Sequence, residues 1–172
     1  MGSPLTVKRR KTMEIRTALP AAVDAITRLD AECFPAAEAA GAESFARRLE
    51  FYPDHFWLLT EGEKIVSFVN GMVTNEPDLR DEMYDDASLH DPNGNWQMIF
   101  GVDTHPDYRC RGCAGQLLKY VIAQAKIQGR KGLVLTCKEA LLPYYAKFGF
   151  QNEGISQSTH GDVVWYQMRL SF

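Results

Sequence analysis

The residues with the clearest capacity for chemistry lie between His105 and Gly115, in the run His105-Pro106-Asp107-Tyr108-Arg109-Cys110-Arg111-Gly112-Cys113-Ala114-Gly115. Two arginines stand beside a set of small residues, between a strongly apolar segment and an amphipathic one. Small residues let main chain approach a ligand closely. The first N–H groups of a helix have no partner inside it and point outward, aided by the helix dipole. Together these are the makings of a phosphate cradle. Taken alone, the spacing Arg109-x-x-Gly112-x-Ala114 also suits an ordinary strand-to-helix turn. The stretch Tyr144-Tyr145-Ala146-Lys147-Phe148-Gly149-Phe150 carries two phenols, each of which by residue type alone suits a core tyrosine with a satisfied hydroxyl. The histidines suitable for acid–base work are His55, His90, His105 and His160. His105 precedes a proline and is expected to shape a turn, and His55 and His90 have no evident partners.

Cys110-Arg111-Gly112-Cys113 is a C-x-x-C, which in isolation suggests a thiol pair or half of a zinc site. No second such pair and no H-x-H completes a metal set, so no metal is expected. Four cysteines in 172 residues are too few and too scattered for a disulfide framework. They point to a reducing cytoplasm.

The elements that must hold these residues follow from periodicity. Met13 to Thr17 reads as a strand. Pro20 opens a helix whose stripe is Ala22, Ile26, Leu29 and Cys33. Glu43 to Phe51 reads as a second helix, with Phe45, Leu49 and Phe51 inward. His55 to Thr60 and Lys64 to Thr74 form a hairpin about Glu61-Gly62-Glu63. Asn75 to Asn95 is a long acidic loop with a short helix near Leu79 to Tyr84, its charges read as solvated. Trp96 to Asp103 is an apolar central strand. Gly112 to Gln128 is the strongest helix, with Ala114, Leu117, Leu118, Val121, Ile122 and Ala125 on one side. Gly132 to Cys137 is a strand, Ala140 to Lys147 a short helix, and Asp162 to Leu170 the last strand.

The sum is a single mixed α/β domain over 13–172, preceded by a disordered basic tail over 1–12. A net charge of −3 argues against nucleic acid as partner. No apolar run is long enough for a membrane span.

The run from Arg109 to Ala114 resembles the R/Q-x-x-G-x-G/A pyrophosphate loop of GNAT acetyltransferases. Leu135-Thr136-Cys137-Lys138 through Tyr145 and Gly149-Phe150 resembles that superfamily's last helix. With Cys33-Phe34-Pro35-Ala36-Ala37-Glu38-Ala39-Ala40 and Ser158 through Met168, the match looks like its arylalkylamine N-acetyltransferase branch. The resemblance implies a splayed sheet of six to seven strands with four helices. It implies acetyl-CoA as co-substrate and a small amine, arylalkyl or polyamine-like, as acceptor. Arg109, Cys110, Arg111, Gly112, Cys113, Ala114 and Gly115 would hold the pyrophosphate. Val102, Asp103 and Thr104 would pair with the pantetheine, an N–H near Val102 serving the oxyanion. Tyr145 would act as general acid on the departing thiolate.

Animal enzymes of that branch carry H-x-H on the strand before the loop, where this chain has Met98 and Phe100. Neither accepts a proton. His160 and Glu38 are the candidates for that role. Asp103 is a third, with a structural role the stronger reading. Alternatives are a non-catalytic acyl-CoA sensor and an acetyltransferase of protein amines. The assembly is a monomer or a homodimer.

Overall fold

A computed structural model describes residues 12–172. The expected tail therefore lies, apart from Thr12, outside the described residues. The strands are β1 (Met13–Thr17), β2 (Phe56–Glu61), β3 (Lys64–Asn70), β4 (Val73–Thr74), β5 (Trp96–Ile99), β6 (Gly101–Thr104), β7 (Gly132–Cys137), β8 (Gln151–Ile155) and β9 (Tyr166–Ser171). The helices are α1 (Val23–Cys33), α2 (Ala42–Phe51), α3 (Glu82–Asp85), α4 (Cys113–Ile127) and α5 (Leu142–Ala146). Among the described residues no helix is long and apolar enough to cross a membrane.

The strands make two sheets, β1-β2-β3-β6 and β4-β5-β7-β9-β8. Both faces are covered, which is why β2 and β7 read as near-continuous apolar runs. Alternate residues feed opposite cores. Leu59, Val66, Leu133 and Leu135 pack with Leu117, Leu118 and Val121 of α4. Leu58, Phe68, Met98 and Val134 pack with Ile26 and Leu29 of α1 and Phe45 and Leu49 of α2.

The two sheets are one sheet torn along its middle. The expected strands Lys64–Thr74 and Trp96–Asp103 are each broken, the first at Gly71-Met72 and the second at Phe100. At the break, the main chains come too close for any side chain, since a Cβ on Gly71 would lie 1.8 Å from the Met98 carbonyl oxygen. Beyond it β5 runs parallel to β7 as far as Ile99 opposite Leu135. β6 instead pairs with β3, Gly101 opposite Asn70 and Thr104 opposite Ser67. A gap therefore opens between β6 and the end of β7. The nine segments amount to seven strands once the two breaks are joined, in keeping with the expected sheet.

Three sequence expectations need correction. β8 was not foreseen, and the last strand begins at Tyr166 rather than Asp162. Phe51 points outward, 41% exposed, and Arg48 takes the inward place at 4%.

Candidate active site

The first half of the site is main chain. Gly112 caps α4 at φ 75° and ψ 11°, a left-handed conformation that suits glycine. Cys110 is left-handed too, at φ 61°. The chain thereby turns so that the N–H groups from Cys110 to Gly115 find no main-chain acceptor among the described residues. A Cβ on Gly112 would meet nothing within 4 Å, so the space beside this residue is open. Arg109, Cys110, Arg111 and Gly112 are exposed, while Cys113 is buried under the helix. Arg109 Nε donates to the Thr104 carbonyl at 3.4 Å, and the Arg111 guanidinium lies 5.2 Å from the Tyr108 ring centre. His105 Nδ1 accepts the Asp107 N–H at 3.1 Å, which fixes the turn as expected. This set of unpaired donors and flanking cations fits a diphosphate.

The second half is the gap. Its edge strand β6 bonds β3 through alternate residues. His105 N–H donating to the Val66 carbonyl at 2.8 Å sets the parity, so Asp103 turns its main chain to β3. Val102 and Thr104 then turn theirs to the gap, and the Thr104 carbonyl is met there by Cys33 Sγ at 3.3 Å. A cavity of about 220 Å³ fills the opening, with Val102, Leu135, Cys137 and Tyr145 on its walls. Tyr145 is 8% exposed. Burial, then the neighbouring Cys137, Tyr144 and Asp103, push its hydroxyl well above the usual phenol value. It stays protonated at neutral pH and can give that proton. Tyr144 is only half-buried, so of the two tyrosines the cavity residue is the more enclosed one. Burial likewise pushes the Cys137 thiol up to about 11, which keeps it an inert wall residue.

The far end of the cavity is made by side chains from distant segments. The loop after α1 folds back through Glu38 N–H and Ala39 N–H, both donating to the Pro35 carbonyl at 2.9 Å. Ala40 N–H donates to Asp30 Oδ2 at 2.8 Å. Glu38 is 5% exposed in its side chain and meets the Lys138 ammonium at 2.7 Å, a close charge contact rather than an aligned hydrogen bond. His160 Nε2 lies 2.8 Å from the Glu38 carbonyl oxygen. A carbonyl only accepts, so Nε2 carries the hydrogen and the lone pair is on Nδ1. The imidazole stacks on Tyr84 at 5.4 Å, and Trp165 Nε1 donates to the His160 carbonyl at 2.7 Å. Asp81 holds this turn through the Thr159 N–H at 3.0 Å and the Ser158 hydroxyl. That acidic loop is therefore partly a brace, not only a solvated stretch.

The structure thus brings Tyr145, His160 and Glu38 to one cavity, and sets the Arg109–Gly115 loop at the start of α4 beyond it. Phe100 lines the cavity, 4.8 Å from the Tyr84 ring, and Met98 is fully buried in the core beneath. Neither offers a base.

Sequence reasoning missed Asp30 and Arg48, both on the cavity wall. Arg48 donates to Asn70 Oδ1 and the Tyr84 carbonyl, each at 3.0 Å, and lies over the rings of Phe45 and Phe100. The available signal was a charge within an apolar stripe, Asp30 after Ile26 and Leu29, and Arg48 between Phe45 and Leu49. His55 and His90 do have partners. Their rings lie 5.1 Å apart, His55 Nδ1 is 2.8 Å from Gln97 Oε1, and His90 Nδ1 accepts the Val73 N–H at 3.0 Å.

Comparison with known proteins bears on both halves. The Acetyltransferase (GNAT) family profile matches residues 23–150. Serotonin N-acetyltransferase of Mesocricetus auratus is 29% identical over 112 residues, which are 64% of this chain and 53% of that protein, so this chain spans about half its length. The GphF GNAT-like decarboxylase, solved in complex with isobutyryl-CoA, superposes with a TM-score of 0.77 at 22% identity, covering 92% of this chain and 98% of that one. The ribosomal-protein-S18-alanine N-acetyltransferase of Escherichia coli gives a TM-score of 0.70 at 16% identity, covering 93% and 94%. At such identities the two structures speak to the fold.

Proposed function

This chain belongs to the GNAT acetyltransferase family, and from that premise we propose that it moves the acetyl group of acetyl-CoA to a small primary amine by direct attack on the thioester. One observation carries the reading. The open set of main-chain donors at Cys110–Gly115 lies by the start of a torn-sheet gap whose inner end holds a protonated, enclosed Tyr145. Solved relatives bind acyl-CoA, the GphF decarboxylase as isobutyryl-CoA among them.

In this reading the loop takes the diphosphate, with Arg109 and Arg111 adding charge. Val102 and Thr104 bond the pantetheine amides as an added strand would. The Val102 N–H steadies the oxyanion that forms at the thioester carbon. The amine enters from the Glu38–His160 end. Its nitrogen bonds to carbon, the carbon–sulfur bond breaks, and Tyr145 gives its proton to the departing sulfur. The second N–H proton then restores the phenol. Before attack the ammonium must lose a proton, and the groups at that end able to take it are His160 through Nδ1 and Asp30.

An arylalkylamine acceptor is supported by the aromatic wall of Phe34, Phe45, Tyr84, Phe100 and Trp165, and by the likeness to serotonin N-acetyltransferase. The cavity's limited volume favours a small amine over a protein terminus. All four cysteines are free, which supports a reducing compartment such as the cytoplasm.

The test is acetyl-CoA consumption against a panel of aromatic amines, polyamines and short peptides. Turnover is expected with at least one small amine. Tyr145→Phe should slow it by about tenfold or more while CoA affinity, read by calorimetry, is unchanged. CoA binding with no turnover on any amine would instead identify a sensor.

A further inference from the structure

We propose that the carboxyl of Asp30, backed by Asp103, takes the proton from the acceptor's ammonium, in the place where a histidine pair is missing. The inference rests on the transferase reading above and names the group that makes its acceptor reactive.

Asp30 is in the last turn of α1, on the cavity wall, and only 5% exposed. Its Oδ2 is pinned by the Ala40 N–H at 2.8 Å, which aims the carboxyl rather than letting it swing. Against it is Asp103 of β6, fully buried, whose carboxyl oxygens meet no donor among the described residues except the Asp30 carboxyl itself, when one of the two is protonated. Two buried carboxyls side by side cannot both ionise cheaply. Burial first, then the hydrogen bond and charge of Asp30, raise Asp103 well above the usual carboxylate range. In this proposal Asp103 keeps its proton and Asp30 carries the charge. A cavity carboxyl with an acid behind it can take a proton without leaving two charges buried.

The surroundings agree. Gly101 leaves a window: a Cβ there would sit 3.0 Å from Asp103 Oδ1 and 3.5 Å from Asn70 Nδ2. The charged and titratable groups facing the pair are Arg48 of α2, Cys33 of α1 and Tyr145 of α5. Arg48 opposes the rise. Cys33 and Tyr145 both stay protonated, their pKa values raised first by burial.

The step balances. An N–H bond of the ammonium breaks, its proton forms an O–H on Asp30, and the freed lone pair attacks the thioester carbon. The pair goes from one proton to two and returns the extra one to solvent through the cavity. Asp30 is the group that touches substrate, and Asp103 is a positioning residue.

The experiment compares Asp30→Asn with the wild type on a primary alkylamine across pH, with CoA affinity and melting temperature as controls. At pH 7 about one such amine in a thousand is free base. The variant should lose about a hundredfold in kcat/KM there. The loss should shrink toward parity as pH approaches the amine's own pKa near 10, where solution supplies the free base. Asp103→Asn should fold and turn over, but with the acid limb of its pH profile moved to higher pH, because the Asp30 carboxylate loses the shared proton that steadies its charge. A gap between Asp30→Asn and wild type that is constant with pH, or no gap, overturns the proposal. So does the same pH-dependent loss in His160→Gln with Asp30→Asn unaffected. If Asp30→Asn does not fold, an unmoved acid limb in Asp103→Asn overturns it. A wild-type protein that acetylates no amine at any pH overturns the transferase reading as well, which equal losses across pH do not.

Discussion

The two halves of the site are built from different materials. The loop over Cys110–Gly115 is an arrangement of main chain, exposed and local, and its shape is set by left-handed residues at Cys110 and Gly112. The amine end is an arrangement of side chains, buried and assembled from α1, α2, the long loop after β4 and the turn at His160. Every residue has the same N–H to offer, so the loop needs small residues and a helix start, and almost any side chain beside them serves. Under the proposed reading the amine end needs particular atoms, so changing a few residues there should change the acceptor while leaving the coenzyme grip intact. That division lets one family act on many amines.

The largest effect should come from breaking the main-chain half. Gly112→Val places a β-branched residue at φ 75°. The left-handed conformation costs it about 1–2 kcal/mol, and the side chain fills the space before the donors. CoA affinity should fall about hundredfold, close to 2.7 kcal/mol, by calorimetry. Gly112→Asn tolerates the conformation but still fills the space. A large loss with Asn assigns the effect to blocked phosphate contact, whereas near-normal binding assigns it to backbone shape. Normal affinity in both would place the diphosphate elsewhere and dissolve the contrast.

The same contrast explains what the sequence made legible. Tyr145 was reached by resemblance, whereas the small residues of the loop and the helix α4 were readable because each depends on neighbours within one or two turns of chain. The helical stripes of α1, α2 and α4 were readable for the same reason. The breaks at Gly71 and Phe100 were not, because each is dictated by a partner strand: Gly71 is needed only where it meets the Met98 carbonyl. β8 escaped because Gln151-Asn152-Glu153-Gly154 is polar and pairs with β9 alone at a sheet edge. Asp30, Arg48 and Tyr84 were passed over because a charge in a stripe, or an aromatic in a loop, acquires a role only once remote segments close around it. Glu38 and His160 were reached by resemblance, and the bond that couples them crosses most of the chain.

A smaller effect is expected from acid, which acts on His55 and His90, outside the cavity lining. His90 is lowered to about 4 by burial and then by His55, and His55 is lowered by burial despite Asp54 nearby. Both therefore bind protons more readily when unfolded, where the ordinary value is near 6.5. Their stabilising contribution is full above that value and is lost as pH falls toward 4. Protonation of His90 also ends its acceptance of the Val73 N–H. Allowing for its partial exposure, the loss by pH 4 is on the order of 2 kcal/mol. Between pH 6.5 and 5.5, before most carboxylates titrate, the melting temperature of wild type should fall more steeply than that of His90→Gln. Parallel slopes would take the histidine pair out of the account.

The smallest effect should come from Cys110, and its sign sharpens the comparison most. Cys110 is exposed and holds φ 61°, so its side chain contributes strain and little packing. Cys110→Gly removes about 1 kcal/mol or more of that strain. Glycine returns part of it, about 0.5–1 kcal/mol, through the greater freedom of the unfolded chain. The net should be a gain of roughly 0.5 kcal/mol, a rise in melting temperature of about 1–2 °C for a chain of this size. CoA affinity should stay within about twofold, since the N–H at 110 is retained and the backbone angle is one glycine adopts freely. A tenfold loss of affinity with unchanged stability would mean that the strain at Cys110 holds the donors in line, and the loop would then depend on its side chains as the amine end does.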